Sequence, residues 1–203
     1  ASGAAADYTL PATPGAPTIG TITETTADVT VSTNGNPASA TYIIQESTSG
    51  TYVQADGTLS VGEIWQNAAA WGTVTVTGLT PSSVNTFITK AKSLALDESA
   101  FGAGSSAVAL SNIPSAPTVS AVSTSSINVI INQNSNSASA SYSIPVGSNY
   151  VQADGSLGVG EVFQDYATWG GASGITVTGL AESTSYSFTV KARNADLVTT
   201  VAS

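Results

Sequence analysis

The sequence predicts an all-β fold made of two tandem antiparallel β-sandwiches of about 100 residues each. Three observations predict it. The run Tyr52-Val53-Gln54-Ala55-Asp56-Gly57, continuing through Gly62-Glu63 to Trp71-Gly72, returns almost unchanged at Tyr150 to Asp154-Gly155, Gly160-Glu161 and Trp169-Gly170, so the chain is two copies of one unit. Within each copy apolar residues alternate with period 2, as in Ala27-Asp28-Val29-Thr30-Val31-Ser32, which is the spacing of a half-buried strand. Such runs are short and separated by turn residues, about seven to a copy, and burying their inner faces requires two packed sheets.

Composition removes several functions. The net charge is -9, with only 4 Lys and Arg and no His, so a phosphate backbone or an anionic lipid surface would be repelled; no nucleic-acid partner is expected. No apolar run approaches the ~18 residues that span a bilayer, and membrane insertion is not expected. Cysteine and methionine are both absent. Without Met, Ala1 is expected to be a processed or trimmed end, such as removal of a secretory signal leaves. A Ser- and Thr-rich surface with few charges suits an extracellular or cell-surface location, and no Asn-x-Ser/Thr sequon is present.

In chain order, residues 1-13 form an Ala-rich leader, expected to be flexible when alone, with Tyr8 and Leu10 as its sizeable apolar side chains. The first domain is expected at 14-110, a short linker at 111-116 and the second domain at 117-203. Each copy opens on a proline pair, Pro14 with Pro17 and Pro114 with Pro117, suited to an edge strand where a missing N–H is tolerated. Ala40 to Ile44 and Ala140 to Ile144 read as strands, as do Val74 to Thr77 and Ile175 to Thr178, which run into Gly78-Leu79 and Gly179-Leu180. A last long strand is expected at Asn85 to Lys92 and Tyr186 to Arg193.

The order Pro-x-x-Pro, Tyr142, Gly179-Leu180, then Tyr186 with Phe188, Val190 and Ala192 in alternation, resembles the fibronectin type III domain, an immunoglobulin-like sandwich, as it occurs in tandem in bacterial or archaeal surface proteins. The resemblance covers nearly all of both copies. It implies that the Tyr186 hydroxyl bonds back toward the preceding loop as a corner. Asn85 stands in that place in the first copy and Thr89 stands for Val190, so the first domain is expected to be less well packed around this strand, or supported there by something outside it. Both copies are expected to hold a full strand set.

The repeated stretch falls between the third strand and the Gly-Leu strand. Asp56-Gly57 signals a two-residue hairpin. Ile64, Ala68 and Trp71, like Val162, Tyr166 and Trp169, fall at i, i+4 and i+7, the spacing of one or two helical turns capped by Gly72 and Gly170. These aromatics are expected to plug the end of each sandwich. The alternative is a glycan-stacking platform of Trp65, Trp71, Phe163, Tyr166 and Trp169.

No catalytic constellation is present: His and Cys are missing, no metal-binding loop or phosphate-binding motif occurs, and neither an enzyme, a metal site nor a cofactor is expected. The four cations, Lys90, Lys92, Lys191 and Arg193, lie at a spacing of two on the last long strand, as a solvated sheet face or a ladder for the acidic surface of a neighbouring copy. Ile88 is expected beside Lys90, and Phe101 in a loop, Leu94 to Gly104, that the second copy shortens to Asn194 to Leu197. Tyr8, Leu10, Ile88, Lys90, Lys92 and Phe101 are thus the candidate contacts between protomers. The expected function is a non-enzymatic structural protein, a subunit or segment of a surface fibre assembling head to tail, with the leader adding as a strand to a sheet edge. The alternative is a carbohydrate-binding or adhesion module of a large surface protein.

Overall fold

The computed structural model describes residues 9-203. They form two compact units, one running up to Leu79 and resuming at Val84–Ala107, the other taking in Thr80–Ser83 and Val108–Ser203.

In the first unit the strands are β1 (Gly15–Ile22), β2 (Thr26–Ser32), β3 (Thr41–Glu46), β4 (Thr51–Val53), β5 (Leu59–Ser60) and β6 (Gln66–Asn67). The helical turn α1 (Ala68–Trp71) follows, then β7 (Thr73–Thr77), β8 (Val84–Lys92) and β9 (Ser105–Val108). One sheet has the order β1-β2-β7; the other runs β5-β4-β3-β8-β9, with β6 also on β3, and every pairing with a recorded register is antiparallel. The alternation of β8 is complete: Asn85, Phe87, Thr89 and Ala91 are buried while Thr86, Ile88, Lys90 and Lys92 stay partly exposed. Between the sheets lie Val29, Tyr42, Ile44, Val53, Trp71, Val76 and Phe87.

The second unit repeats the plan with shorter strands: β10 (Ser115–Ser123), β11 (Ser126–Asn132), β12 (Ser141–Ser143), β13 (Pro145–Val146), β14 (Asn149–Val151), β15 (Leu157–Gly158), β16 (Gln164–Asp165), β17 (Ile175–Val177) and β18 (Lys191–Arg193). Here β10-β11-β17 make one sheet, β16-β12-β18 a second and β13-β14-β15 a third. The counterpart of β3 is cut in two at Pro145, which has no N–H for the ladder. The counterpart of β8 survives as a strand only at Lys191–Arg193, with an isolated bridge from Phe188 to Val146.

Two expectations are corrected here. The first unit is not the looser one around Asn85: Asn85 is buried and β8 is paired on both sides, by β3 and β9. Nor is Leu94 to Gly104 a longer loop. Ser93 N–H donates to Asp97 O and Gly102 N–H to Thr89 O, and in the same sequence Asn194 N–H donates to Val198 O and Ser203 N–H to Val190 O. The copies follow one path to that point, and in the first unit β9 comes next.

The helical turn forms once only. In the first unit Asn67 Oδ1 accepts the Ala70 N–H and caps α1; in the second, Asp165 Oδ1 accepts from Thr168, but the chain continues in turns to the 3-10 segment Gly171–Ser173. The Asp-Gly hairpin is also wider than two residues. Gly57 N–H donates to Gln54 O, Gln54 N–H to Thr58 O, and only the glycine, with φ of 83°, is left-handed. Asp56 instead accepts from the Thr58 N–H and hydroxyl.

Gly57 has a second duty. Its carbonyl accepts from Thr77 N–H, which fastens the turn to β7 in the opposite sheet, and a Cβ there would collide with the Thr75 carbonyl. Gly155 repeats both features against Thr178 and Thr176. Gly57→Ala is therefore expected to cost at least about 2 kcal/mol, since it adds a clash to the backbone penalty. Gly35→Ala, also left-handed but with open space around it, should cost only the backbone penalty, about 1 to 2 kcal/mol. Denaturant unfolding of the two variants checks the difference.

Candidate functional site

The most repeated residues build a plug. From Gly57 the chain runs through β5 to Ile64 and Ala68, which pack on the core, and then buries Trp71. Trp71 Nε1–H donates to Tyr42 O at 2.9 Å, and Trp169 Nε1–H donates to Tyr142 O at 2.7 Å. Each indole thus fills the sandwich, and its buried N–H is satisfied by a carbonyl of the central strand. Gln54 and Gln152 hold the strap in place, donating to Gly62 O and Gly160 O.

This placement corrects the glycan platform. Trp71 and Trp169 are 4% and 1% exposed, so neither offers a face to a sugar. Trp65 and Phe163 are half-buried and their faces are already taken, Trp65 by Lys92 Nζ at 3.7 Å and Phe163 by the Arg193 guanidinium at 4.0 Å. Tyr166 packs partly against the second core.

The same contacts account for the basic ladder. Glu98 binds both Lys90 and Lys92, and Glu161 binds Lys191 at 3.1 Å and the Ser143 hydroxyl at 2.8 Å. The hydrogen bonds from Lys90 and Lys92 hold the Glu98 carboxyl below its usual range. Phe101 is half-exposed with Lys90 over its ring at 5.6 Å, and Ile88 is partly covered where Gly104 crosses it. All four cations are therefore engaged inside their own unit. Tyr8 lies outside the described residues. Leu10, 74% exposed, borders a cleft with Asn36, Pro37, Ser39 and Leu94.

Two buried groups escaped the sequence reading. Glu46 is 2% exposed and accepts from the N–H groups of Thr48, Ser49 and Thr86, tying the β3–β4 turn to β8. Burial pushes its carboxyl up, but the bonds from Ser49 and Thr48 outweigh this and leave it below its ordinary value. Asn36 accepts the Ala12 N–H and donates to Ala12 O, and Asn34 donates to Thr13 O, so the leader is docked from Ala12 onward. Asn136 and Asn134 do the same with Asn112 and Ile113. Asn-Gly and Asn-Ser pairs read as turns alone, and nothing in the sequence marked their amides as a clasp.

In the second unit the Tyr186 hydroxyl accepts the Ala181 N–H at 2.9 Å, closing a corner over the end of the core. Among solved structures, the whole chain aligns with the two fibronectin type III domain segment from chicken tenascin, covering 94% of this chain and 95% of that one, with a TM-score of 0.51 and 12% identity. The fold is that of two tandem fibronectin type III domains. A fibronectin type III domain of the human fibronectin type III domain containing protein 3 matches 54% of the chain at 16% identity, with a TM-score of 0.37. The central fibronectin type III array of RIM-binding protein matches 94% at 16% identity, with a TM-score of 0.35. No protein-family model and no curated protein sequence matches the chain.

Buried groups make both units sensitive to alkali, through Tyr42 and more strongly Tyr142, and the first unit sensitive to acid as well, through Glu46. Glu46 has a lowered folded value, so its contribution is full above its ordinary 4.5 and is lost as the pH falls through the folded value. Burial pushes the Tyr142 phenol from 10.0 up to about 12, offset in part by Asn136, so its contribution is full below pH 10 and is lost as the pH rises toward 12. That alkaline loss is on the order of 2 to 3 kcal/mol. Tyr142→Phe should remove it and Glu46→Gln should blunt the acid loss, read by stability against pH. Trp71→Phe removes the buried hydrogen bond to Tyr42 O and part of the ring that fills the core, and should cost the first unit roughly 1 to 3 kcal/mol, measured by denaturant unfolding.

Proposed function

We propose that this chain is a non-enzymatic extracellular structural protein, a subunit or segment of a surface fibre that assembles head to tail. One observation carries the reading. The clasp that Asn34 and Asn36 make on Ala12 and Thr13 is the clasp that Asn134 and Asn136 make on Asn112 and Ile113. The first unit thus receives the segment ahead of it by the same joint as the second, which suits a subunit built to follow another of its kind. Contacts of that heterologous type do not close on themselves and generate filaments.

The rest of the molecule is consistent with a structural role. The repeated acids serve as turn acceptors and ion-pair partners, the repeated tryptophans are core, and the cations are paired within their units. Among the described residues no cluster of three or more His, Cys, Asp or Glu could hold a metal, and no helix is long and apolar enough to cross a membrane.

Negative-stain microscopy and sedimentation of the chain over a concentration series test the proposal. Ordered filaments that lengthen with concentration are expected. A chain that stays monomeric at every concentration, with no partner recovered from native material, contradicts it.

A further inference from the structure

The sequence holds one Asn-Gly pair, Asn34-Gly35, and it lies inside the clasp that docks Ala12 and Thr13 on the first unit. Asn34 Nδ2–H donates to Thr13 O at 2.8 Å, beside the Asn36 amide, which accepts the Ala12 N–H and donates to Ala12 O. An asparagine side chain is open to attack by the peptide nitrogen that follows it. That nitrogen bonds to the side-chain amide carbon, the bond from this carbon to Nδ2 breaks, and Nδ2 leaves as ammonia with the proton that the peptide nitrogen gave up through water. The cyclic imide left behind takes up water at one of its two carbonyls and opens to aspartate or isoaspartate. Water is the only co-reactant, and no electrons are transferred. The reaction needs a following residue that has an N–H, leaves it free, and puts no side chain in the path.

Gly35 meets all three conditions. It is exposed, and among the described residues its N–H meets no acceptor; the turn is closed by Asn36 N–H donating to Thr33 O. Nothing stands within 4 Å of the place a Cβ would take. Each comparable pair fails one condition. Asn36 is followed by Pro37, which has no N–H. Gly57 and Gly155, after Asp56 and Asp154, donate their N–H groups to Gln54 O and Gln152 O at 2.9 Å. In the second unit Asn136 is followed by Ser137, whose N–H donates to Pro81 O. Asn134 is followed by Ser135, which sets a side chain beside the attacking nitrogen on a similar left-handed backbone, φ of 64° against 76° for Gly35. The two clasps are thus alike in geometry and unlike in chemical durability.

Conversion undoes what Asn34 does. A carboxylate at this position has no hydrogen to donate, so it sets negative charge against Thr13 O where the amide had bonded it. Isoaspartate also inserts a methylene into the main chain of a tight turn. The clasp guards its own weak point in turn. While Asn34 Nδ2 is held by Thr13 O, reaction waits for this exposed turn to open. When the segment lifts, the amide reacts, and the product no longer offers the bond that held it.

We propose that Asn34 is a spontaneous deamidation site, whose conversion to aspartate or isoaspartate releases Ala12 and Thr13 from the first unit while the matching clasp of the second unit, built on Asn134-Ser135, persists. The first clasp thereby carries a slow, one-way release that the second lacks. This does not rest on the head-to-tail reading and is tested on the dispersed chain.

The test ages the full chain in warm, mildly alkaline buffer and follows each asparagine by peptide mass spectrometry, with fragmentation that separates aspartate from isoaspartate. Conversion is expected at least about tenfold sooner at Asn34 than at Asn134, because glycine alone puts no Cβ in the path. Gly35→Ser, which copies the second unit, should slow Asn34 to the Asn134 rate. Ala12→Pro removes the Ala12 N–H bond without touching the turn and should speed conversion by about threefold or more, the population change that one net hydrogen bond carries. Release is read by amide exchange of the Ala12 N–H, expected to be at least about threefold faster in the aged chain and in Asn34→Asp than in fresh chain. The Asn112 N–H, which donates to Asn136 Oδ1, should be unchanged, and unchanged exchange at Thr77 separates release from unfolding. Equal rates at Asn34 and Asn134 overturn the proposal. So does Ala12 exchange that stays the same in both the aged chain and Asn34→Asp. Conversion that ignores Ala12→Pro overturns the guarding role of the docked segment.

Discussion

Each sandwich depends on one buried hydrogen bond, from a tryptophan indole N–H to the carbonyl of the tyrosine on the central strand. Trp71 to Tyr42 and Trp169 to Tyr142 pin the long segment between the third strand and the second sheet deep in the core. Without them a buried indole N–H would be left unpaired in an apolar interior, at a cost of about 1 to 3 kcal/mol. The rest of the strap follows from the anchor. Gln54 and Gln152 shape it, and Gly57 and Gly155 fasten its turn to the opposite sheet. The two sheets are thereby joined by backbone hydrogen bonds in a protein that has no cysteine to join them covalently.

This explains why repetition and function are separated along the chain. The residues that recur are those that hold a sandwich closed, and their polar atoms are consumed in doing so. The residues that differ lie where one copy meets what precedes it, as in the leader ahead of Pro14.

Much of the fold was legible in the sequence because period-2 alternation is a direct image of a two-faced strand. The repeat gave two units, Tyr186 gave the corner, and the i, i+4, i+7 spacing of Ile64, Ala68 and Trp71 gave a core-facing stripe. Other features were not legible, each for a physical reason. Pro145 looked like the end of a strand run, and its effect, splitting the strand and loosening its partner, passes through a missing N–H across the sheet. Glu46 looked like a surface acid because its three donors come from residues 48, 49 and 86, the last far away in sequence. The aromatics of the strap looked available for stacking, because which ring is buried and which lies under a cation is decided by strands distant in sequence.

The central claim is that each sandwich is held closed by the strap that its tryptophan anchors. Amide hydrogen exchange at Thr77, compared between the chain and its Trp71→Phe variant, tests it most directly. Faster exchange of the Thr77 N–H, which donates to Gly57 O, is the predicted result, with little change at Thr178 of the second unit. Unchanged exchange at Thr77 would contradict the claim.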